Sequence, residues 1–268
     1  MMMADIGGLR LHYSLEGDPK GVPVVFANSL GTDMRLWDKL IARLPKGLRI
    51  LRYDMRGHGL SDAPAAPYAM GALVRDLEAL MDHLGFSRAV LIGLSIGGMV
   101  AQGLAVKRPD LLRAVVLSNT AAKIGTKDIW AERIATARAA GIEALADATL
   151  ERWFAAPFRA TPEIAAWRNM MVRTTVDGYT GCAAAIAGTD FYAPTSGLRL
   201  PALGIAGSED RSTPPDLLRE TIDLIPGARF ALIQGAGHLA CVDQPDAYAA
   251  IIIEFLESLS LDAGQGAS

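Results

Sequence analysis

The sequence predicts an α/β domain built on a mainly parallel, doubly wound sheet with an inserted helical cap, and three observations lead there. Short runs rich in Val, Ile and Leu recur along the 268 residues. Segments of helical period separate these runs, the alternation that βα units give when they build a parallel sheet. The alternation fails only between residues 122 and 196, where Ala, Arg, Trp and Met recur at helical spacing. A hydrophobic content of 51% supplies the interior that one large domain needs.

Taken in order, a pair of strands around residues 9–15 is expected to form an antiparallel edge. Strands then follow at VPVVFA (22–27), LRILRY (48–53), RAVLIG (88–93), RAVVLS (113–118), PALGIA (201–206) and RFALIQ (229–234). Helices are expected over 33–44, 70–84, 96–107, 214–224 and 245–259, where amphipathic segments begin at polar residues or prolines. The insertion, typified by IWAERIATARAAGIEALADATLERWF, shows no strand signal. It reads as a cap over one edge of the sheet that closes a pocket, the alternative being helices that only thicken the core. The division is therefore a core over 1–121 and 197–260, a cap over 122–196, and a small, polar, disordered tail over 261–268.

Charge and cysteine content exclude several classes. The 26 Lys and Arg against 29 Asp and Glu leave a net charge of −3 without runs of either sign. Nucleic acid and anionic membrane surfaces are therefore not expected as partners. Cys182 and Cys241 form neither a disulfide framework nor a metal-binding CxxC spacing, and read as buried reduced thiols. No cofactor and no metal are expected, and nothing specifies an oligomeric state. MMMADIGG has neither the basic nor the apolar part of a secretory signal, so a cytoplasmic location is expected. The uncharged stretch 89–106 is broken by four glycines, Ser95 and Gln102, and reads as a strand running into a helix rather than a membrane span.

The chemistry starts in AVLIGLSIGG, where Ser95 falls between a strand and a helix. A serine in that sharp turn takes strained backbone angles, and its neighbours must be small. Gly93 and Gly97 meet this need and leave the hydroxyl exposed at the strand's carboxyl end. The alternative is a turn serine that caps the helix. A serine hydroxyl is a weak nucleophile at neutral pH, so it requires a base and an acid that orients the base. His238, in the glycine-rich loop after the last strand, is the candidate base; His12, His58 and His83 precede the serine and fit surface or structural roles. Asp210, in GIAGSEDRSTPP, is the candidate acid, with Glu209 as the runner-up. The oxyanion of an acyl-transfer reaction needs donors already in place. Candidates are the backbone N–H of Ile96, at a helix N-terminus, and that of Leu30 in the NSLGTD loop. Asp54 and Arg56, in RYDMRGHGLSD, are read as supports for the nucleophile's surroundings.

GLSIGG, GSEDRSTPP, GAGH and RGHGLSD, in this order and spacing, resemble the α/β-hydrolase superfamily over nearly the whole chain. NSLGTD, the RYDMRGHG loop, LSNTAAKIGT and LERWF resemble, more narrowly, bacterial 3-oxoadipate enol-lactonases. Many superfamily members carry His-Gly where this chain has Asn28-Ser29, a departure that suits the enol-lactonase group. The resemblance implies hydrolysis of 3-oxoadipate enol-lactone in aromatic catabolism, with a small-molecule lactone or ester as the partner. That substrate carries a free carboxylate, for which the cap offers Arg133, Arg152, Trp130 and Trp153; Arg133 with Trp153 is the pairing expected to hold it. Rival readings are a carboxylesterase or cofactor-free perhydrolase on the same fold, and a noncatalytic small-molecule receptor. A dehalogenase would need aspartate in place of Ser95.

Overall fold

A computed structural model describes residues 1–265 of the chain, with side chains described through residue 259. Its strands are β1 (Met2–Asp5), β2 (Arg10–Gly17), β3 (Val22–Ala27), β4 (Leu48–Tyr53), β5 (Ala89–Leu94), β6 (Leu112–Ser118), β7 (Ala202–Gly207) and β8 (Arg229–Ile233). They form one sheet in the order β1-β2-β4-β3-β5-β6-β7-β8. β1 with β2 and β2 with β4 are antiparallel, and all other neighbours are parallel. In the middle, Val25 lies opposite Leu91, and Leu91 opposite Val115.

Why these runs are strands follows from their burial. β5 and β7 are buried along their whole length. A strand covered on both faces has no solvent position for a polar side chain, so its sequence reads as an unbroken apolar run. β8, at one edge, is only partly buried and carries an exposed arginine.

The helices of the core are α1 (Asp38–Ile41), α2 (Met70–Leu84), α3 (Ile96–Lys107), and later α10 (Pro215–Asp223), α11 (Ala240–Asp243) and α12 (Pro245–Gln265). α3 packs against β3, β5 and β6, with α2 beside it, and α10 packs against β7 and β8. Between β6 and β7 lies an all-helical segment: α4 (Lys127–Ala140), α5 (Glu143–Trp153), α6 (Ala156–Arg159), α7 (Ile164–Val172), α8 (Val176–Ala187) and α9 (Tyr192–Ser196). Within it α4 packs on α5 and α8, and α5 on α7. Phe154 stacks on Phe158 at 4.5 Å and meets Trp167 at 5.7 Å, an aromatic knot that ties three of these helical turns together.

Three expectations change. The helix expected over 33–44 is a 3₁₀ turn, Met34–Trp37, followed by the single turn of α1. Arg43 and Leu44 donate to Leu40 and Ile41, three residues back, and Pro45 keeps its predecessor out of the α region. The antiparallel edge begins earlier than residue 9, because MMAD forms β1 although only Ala4 of it is buried. The disordered tail expected over 261–268 is helical through Gln265, where it continues α12, and residues 266–268 lie outside the described residues.

Stretch 89–106 is β5 running into α3, and among the described residues no helix is long and apolar enough to cross a membrane. Cys182 and Cys241 are buried free thiols, and burial pushes both pKa values well up.

Candidate active site

The carboxyl ends of β3, β5, β6, β7 and β8 converge on one edge of the sheet, where parallel α/β folds bind ligands. Ser95 stands in the turn between β5 and α3 with φ 58° and ψ −118°. A non-glycine residue at such angles is strained and persists only where its surroundings hold it. Here they do: Ser95 N–H donates to the Ser118 carbonyl at 3.0 Å, and Thr120 Oγ1 donates to the Ser95 carbonyl at 2.6 Å. A Cβ on Gly93 would lie 2.2 Å from the Gly97 carbonyl oxygen, and one on Gly97 would lie 2.1 Å from that of Ala27. Glycine is thus the residue that lets β3, β5 and α3 meet beneath the serine.

Asp210 follows β7 and His238 follows β8. His238 Nδ1 lies 2.8 Å from Asp210 Oδ2, and the two residues are 2% and 4% exposed. Glu209, one residue away, is exposed. The Asp210 carboxylate is saturated with donors. Oδ1 accepts from the N–H groups of Ser212 and Thr213 at 2.7 and 3.0 Å, and Oδ2 accepts from Asn119 Nδ2 and Thr213 Oγ1 at 3.0 and 2.9 Å. Burial alone would push its pKa up, but the charge and hydrogen bond of His238, with Asn119 and the Thr213 N–H, outweigh burial and hold it below the usual carboxylate range. An ionised Asp210 fixes the imidazole with Nδ1–H toward it, leaving Nε2 free to accept a proton.

Of the two candidate oxyanion donors, Ile96 follows the serine directly and Leu30 lines the same cavity as the serine. Ile96 opens α3, so its N–H has no intrahelical acceptor. Neither it nor the Leu30 N–H donates to any acceptor among the described residues. The loop that carries Leu30 is held from three sides. Asn28 Nδ2 donates to the Tyr53 carbonyl and Asn28 Oδ1 accepts from Trp37 Nε1, each at 2.8 Å. His58 Nε2 accepts the Gly31 N–H at 3.0 Å, while Nδ1 sits 3.2 Å from the Arg56 carbonyl. Burial lowers the His58 pKa, which keeps the ring neutral and able to accept. Asp54 accepts from Met34 N–H and Leu60 N–H and pairs with His12 at 2.7 Å; Arg56 forms a two-pronged pair with Asp76 at 2.6 Å. The 54–60 loop therefore braces the Leu30 loop.

The cavity above Ser95 is walled by Ser29, Leu30, His238 and a set of cap residues: Trp130, Arg133, Arg152, Trp153 and Tyr179 among them. The Arg133 guanidinium lies 4.7 Å over the ring of Trp130, which sits three residues before it on α4. Trp130 is itself fixed by its Nε1–H to the Ile124 carbonyl at 2.6 Å. Arg152 donates to Thr149 Oγ1 at 2.9 Å. Neither arginine has a carboxylate partner among the described residues. Burial, and then the charge of Arg133, lower the Arg152 pKa. Two unneutralised guanidinium groups facing one cavity make a place for an anion.

The structure brings together Ser95, Asp210, His238, Leu30, Ile96, Arg133, Trp130 and Trp153. Ser95 Oγ and His238 Nε2 line the same cavity without a hydrogen bond between them, a spacing common before substrate binds. Reading the sequence missed Asn119, Thr213 and Asp243. Asn119 has φ 45°, which asparagine tolerates, so an Asn just past a strand was its one available signal. Asp243 Oδ2 accepts the N–H groups of Gly237 at 2.6 Å and Ala155 at 3.1 Å, tying the histidine loop to the cap. Among the described residues no cluster of His, Cys, Asp or Glu could hold a metal ion.

A glycine-flanked residue on a strand-to-helix turn, with an acid and a histidine delivered by the last two strands of the sheet, β7 and β8, defines a hydrolase of the α/β type. The chain belongs to the alpha/beta hydrolase family, whose model matches residues 24–251. It is 32% identical to 3-oxoadipate enol-lactonase 2 of Acinetobacter baylyi over 242 residues, 90% of each chain. The crystal structure of the enol-lactonase from Burkholderia xenovorans LB400 superposes with a TM-score of 0.92 at 38% identity, covering 96% of this chain and 100% of that one. A thermophilic esterase from Thermogutta terrifontis, described with malate bound, matches with a TM-score of 0.88 at 28% identity over 96% of this chain and 97% of its own.

Proposed function

We propose that this hydrolase opens a lactone of a small carboxylic acid, 3-oxoadipate enol-lactone, to 3-oxoadipate in the breakdown of aromatic compounds. The observation that carries the reading is the unneutralised pair Arg133 and Arg152 in the cavity that also holds Ser95 and His238. A neutral ester gives such a pair nothing to bind, whereas a lactone with a free carboxylate does. The similarity to enol-lactonases supports the same choice. So does the esterase relative described with a dicarboxylate, malate.

In this reading Ser95 Oγ gives its proton to His238 Nε2 and attacks the lactone carbonyl carbon. The resulting oxyanion accepts the N–H groups of Leu30 and Ile96. Collapse breaks the ring carbon–oxygen bond, and the enol oxygen leaves as an enolate that takes up the proton on His238. The leaving group is a good one, so positioning and oxyanion stabilisation are the main demands. Water, deprotonated by His238, then attacks the acyl-Ser95 ester; the acid departs and Ser95 regains its proton. Asp210 stays ionised throughout and steadies the imidazolium. The enzyme acts in the cytoplasm, in keeping with two buried thiols left unpaired.

The test is turnover of freshly generated enol-lactone and of a short p-nitrophenyl ester by the wild type and Arg133→Ala. The variant is expected to lose about tenfold or more in kcat/KM on the lactone, the worth of a charge-assisted contact, and little on the neutral ester. Equal losses on both would remove the carboxylate role. Slow lactone opening beside fast neutral-ester hydrolysis would favour the carboxylesterase reading.

A further inference from the structure

Ser29 Oγ is buried, and among the described residues it has no hydrogen-bond partner. The residue is 1% exposed and lines the cavity that contains Ser95 and His238. A buried hydroxyl without a partner is costly, and folded proteins leave few of them. Its backbone is firmly placed: the Ser29 carbonyl accepts both the N–H of Thr32 at 3.2 Å and its Oγ1 at 2.8 Å. Among the described residues the next amide, Leu30 N–H, has no acceptor, and both residues line the cavity.

We propose that Ser29 Oγ is a third oxyanion donor, completing with the N–H groups of Leu30 and Ile96 the cradle for the charge that forms when Ser95 attacks. A hydroxyl rotates about its Cβ–Oγ bond at almost no cost and can turn its proton toward an oxygen that gains charge. The resulting bond is charge-assisted, so it is stronger in the tetrahedral state than with the planar carbonyl. The residue thereby adds to kcat rather than to substrate affinity. The inference rests on Ser95 as the nucleophile.

The test is Ser29→Ala, a smaller side chain that introduces no clash, assayed on a neutral p-nitrophenyl ester. Removing an oxyanion donor is expected to lower kcat about 100-fold with KM nearly unchanged. Inhibition by phenylboronic acid, which forms a tetrahedral adduct on the nucleophile, is expected to weaken in parallel. Competition by a planar carboxylate, levulinate, is expected to stay at the wild-type level. Wild-type kcat and boronate affinity in Ser29→Ala would overturn the inference, and so would equal weakening of boronate and levulinate, which marks a displaced loop. Ser95→Ala run in parallel separates the two claims: if it keeps its turnover the nucleophile assignment fails, and if it is inactive while Ser29→Ala is normal, only the third donor fails.

Discussion

Asp243→Asn should make the protein more stable at neutral and alkaline pH. Asp243 Oδ2 accepts the N–H of Gly237, next to His238, and that of Ala155 at the foot of the cap, but Oδ1 is buried and has no partner among the described residues. Burial, with Glu209 adding to it, pushes its pKa from an ordinary 3.8 to about 6, against the pull of the two N–H groups and Lys39. The folded state thus keeps a proton that the unfolded chain has lost. Its contribution to stability is fully present below about pH 3.8 and is lost as the pH rises through about 6. The loss is at most about 3 kcal/mol, at about 1.4 kcal/mol for each pH unit that separates the two states. Asparagine keeps the accepting oxygen and carries no charge. Urea unfolding followed by tryptophan fluorescence from pH 4 to 8 should show variant and wild type alike at pH 4, with the variant ahead by up to about 3 kcal/mol at pH 8. Carboxylates common to both cancel in the difference. A difference that does not change with pH, or a variant weaker at pH 8, would refute the reasoning.

Two further substitutions probe the scaffold under the site. Gly97→Ala places a Cβ 2.1 Å from the Ala27 carbonyl oxygen and 2.7 Å from that of Asn28, so α3 must move away from β3. A displacement near 1 Å should lower kcat/KM about 100-fold or more and reduce Tm; full activity would contradict the assigned close approach. Asn119→Gly keeps the positive φ and removes the donor to Asp210 Oδ2. A hydrogen bond to a charged acceptor is worth about 1.5–3 kcal/mol, so kcat should fall about tenfold or more at constant KM, and an unchanged kcat would leave Asn119 without a role in orienting His238.

The parts of this protein that could be read in its sequence are those whose cause is local. β5 and β7 are buried on both faces, and burial of that kind writes itself as an unbroken apolar run. Ser95 was legible because the elbow forces glycine at positions 93 and 97, within two residues of it. Asp210 could be preferred to Glu209 from its place beside the helix-leading prolines, and it is the one that reaches His238. What escaped depends on distant partners. Asn119 meets Asp210 across 91 residues and Asp243 meets Ala155 across 88, and no short pattern records either pair. Arg133 was legible as a cation in the cap, and its ring contact is a local one, with Trp130 three residues away on the same helix. β1 was invisible because an edge strand with one buried residue leaves no alternation to see.

The central claim is that Ser95, activated by His238, carries the acyl group. Intact-protein mass spectrometry after brief exposure to a fluorophosphonate ester, with peptide mapping of the adduct, tests it most directly. The account predicts one adduct per chain, on Ser95, forming rapidly in the wild type, slowed by at least about 1,000-fold in His238→Ala and absent from Ser95→Ala. An adduct on another residue, or wild-type protein that stays unlabelled while it hydrolyses ester or lactone, would contradict it.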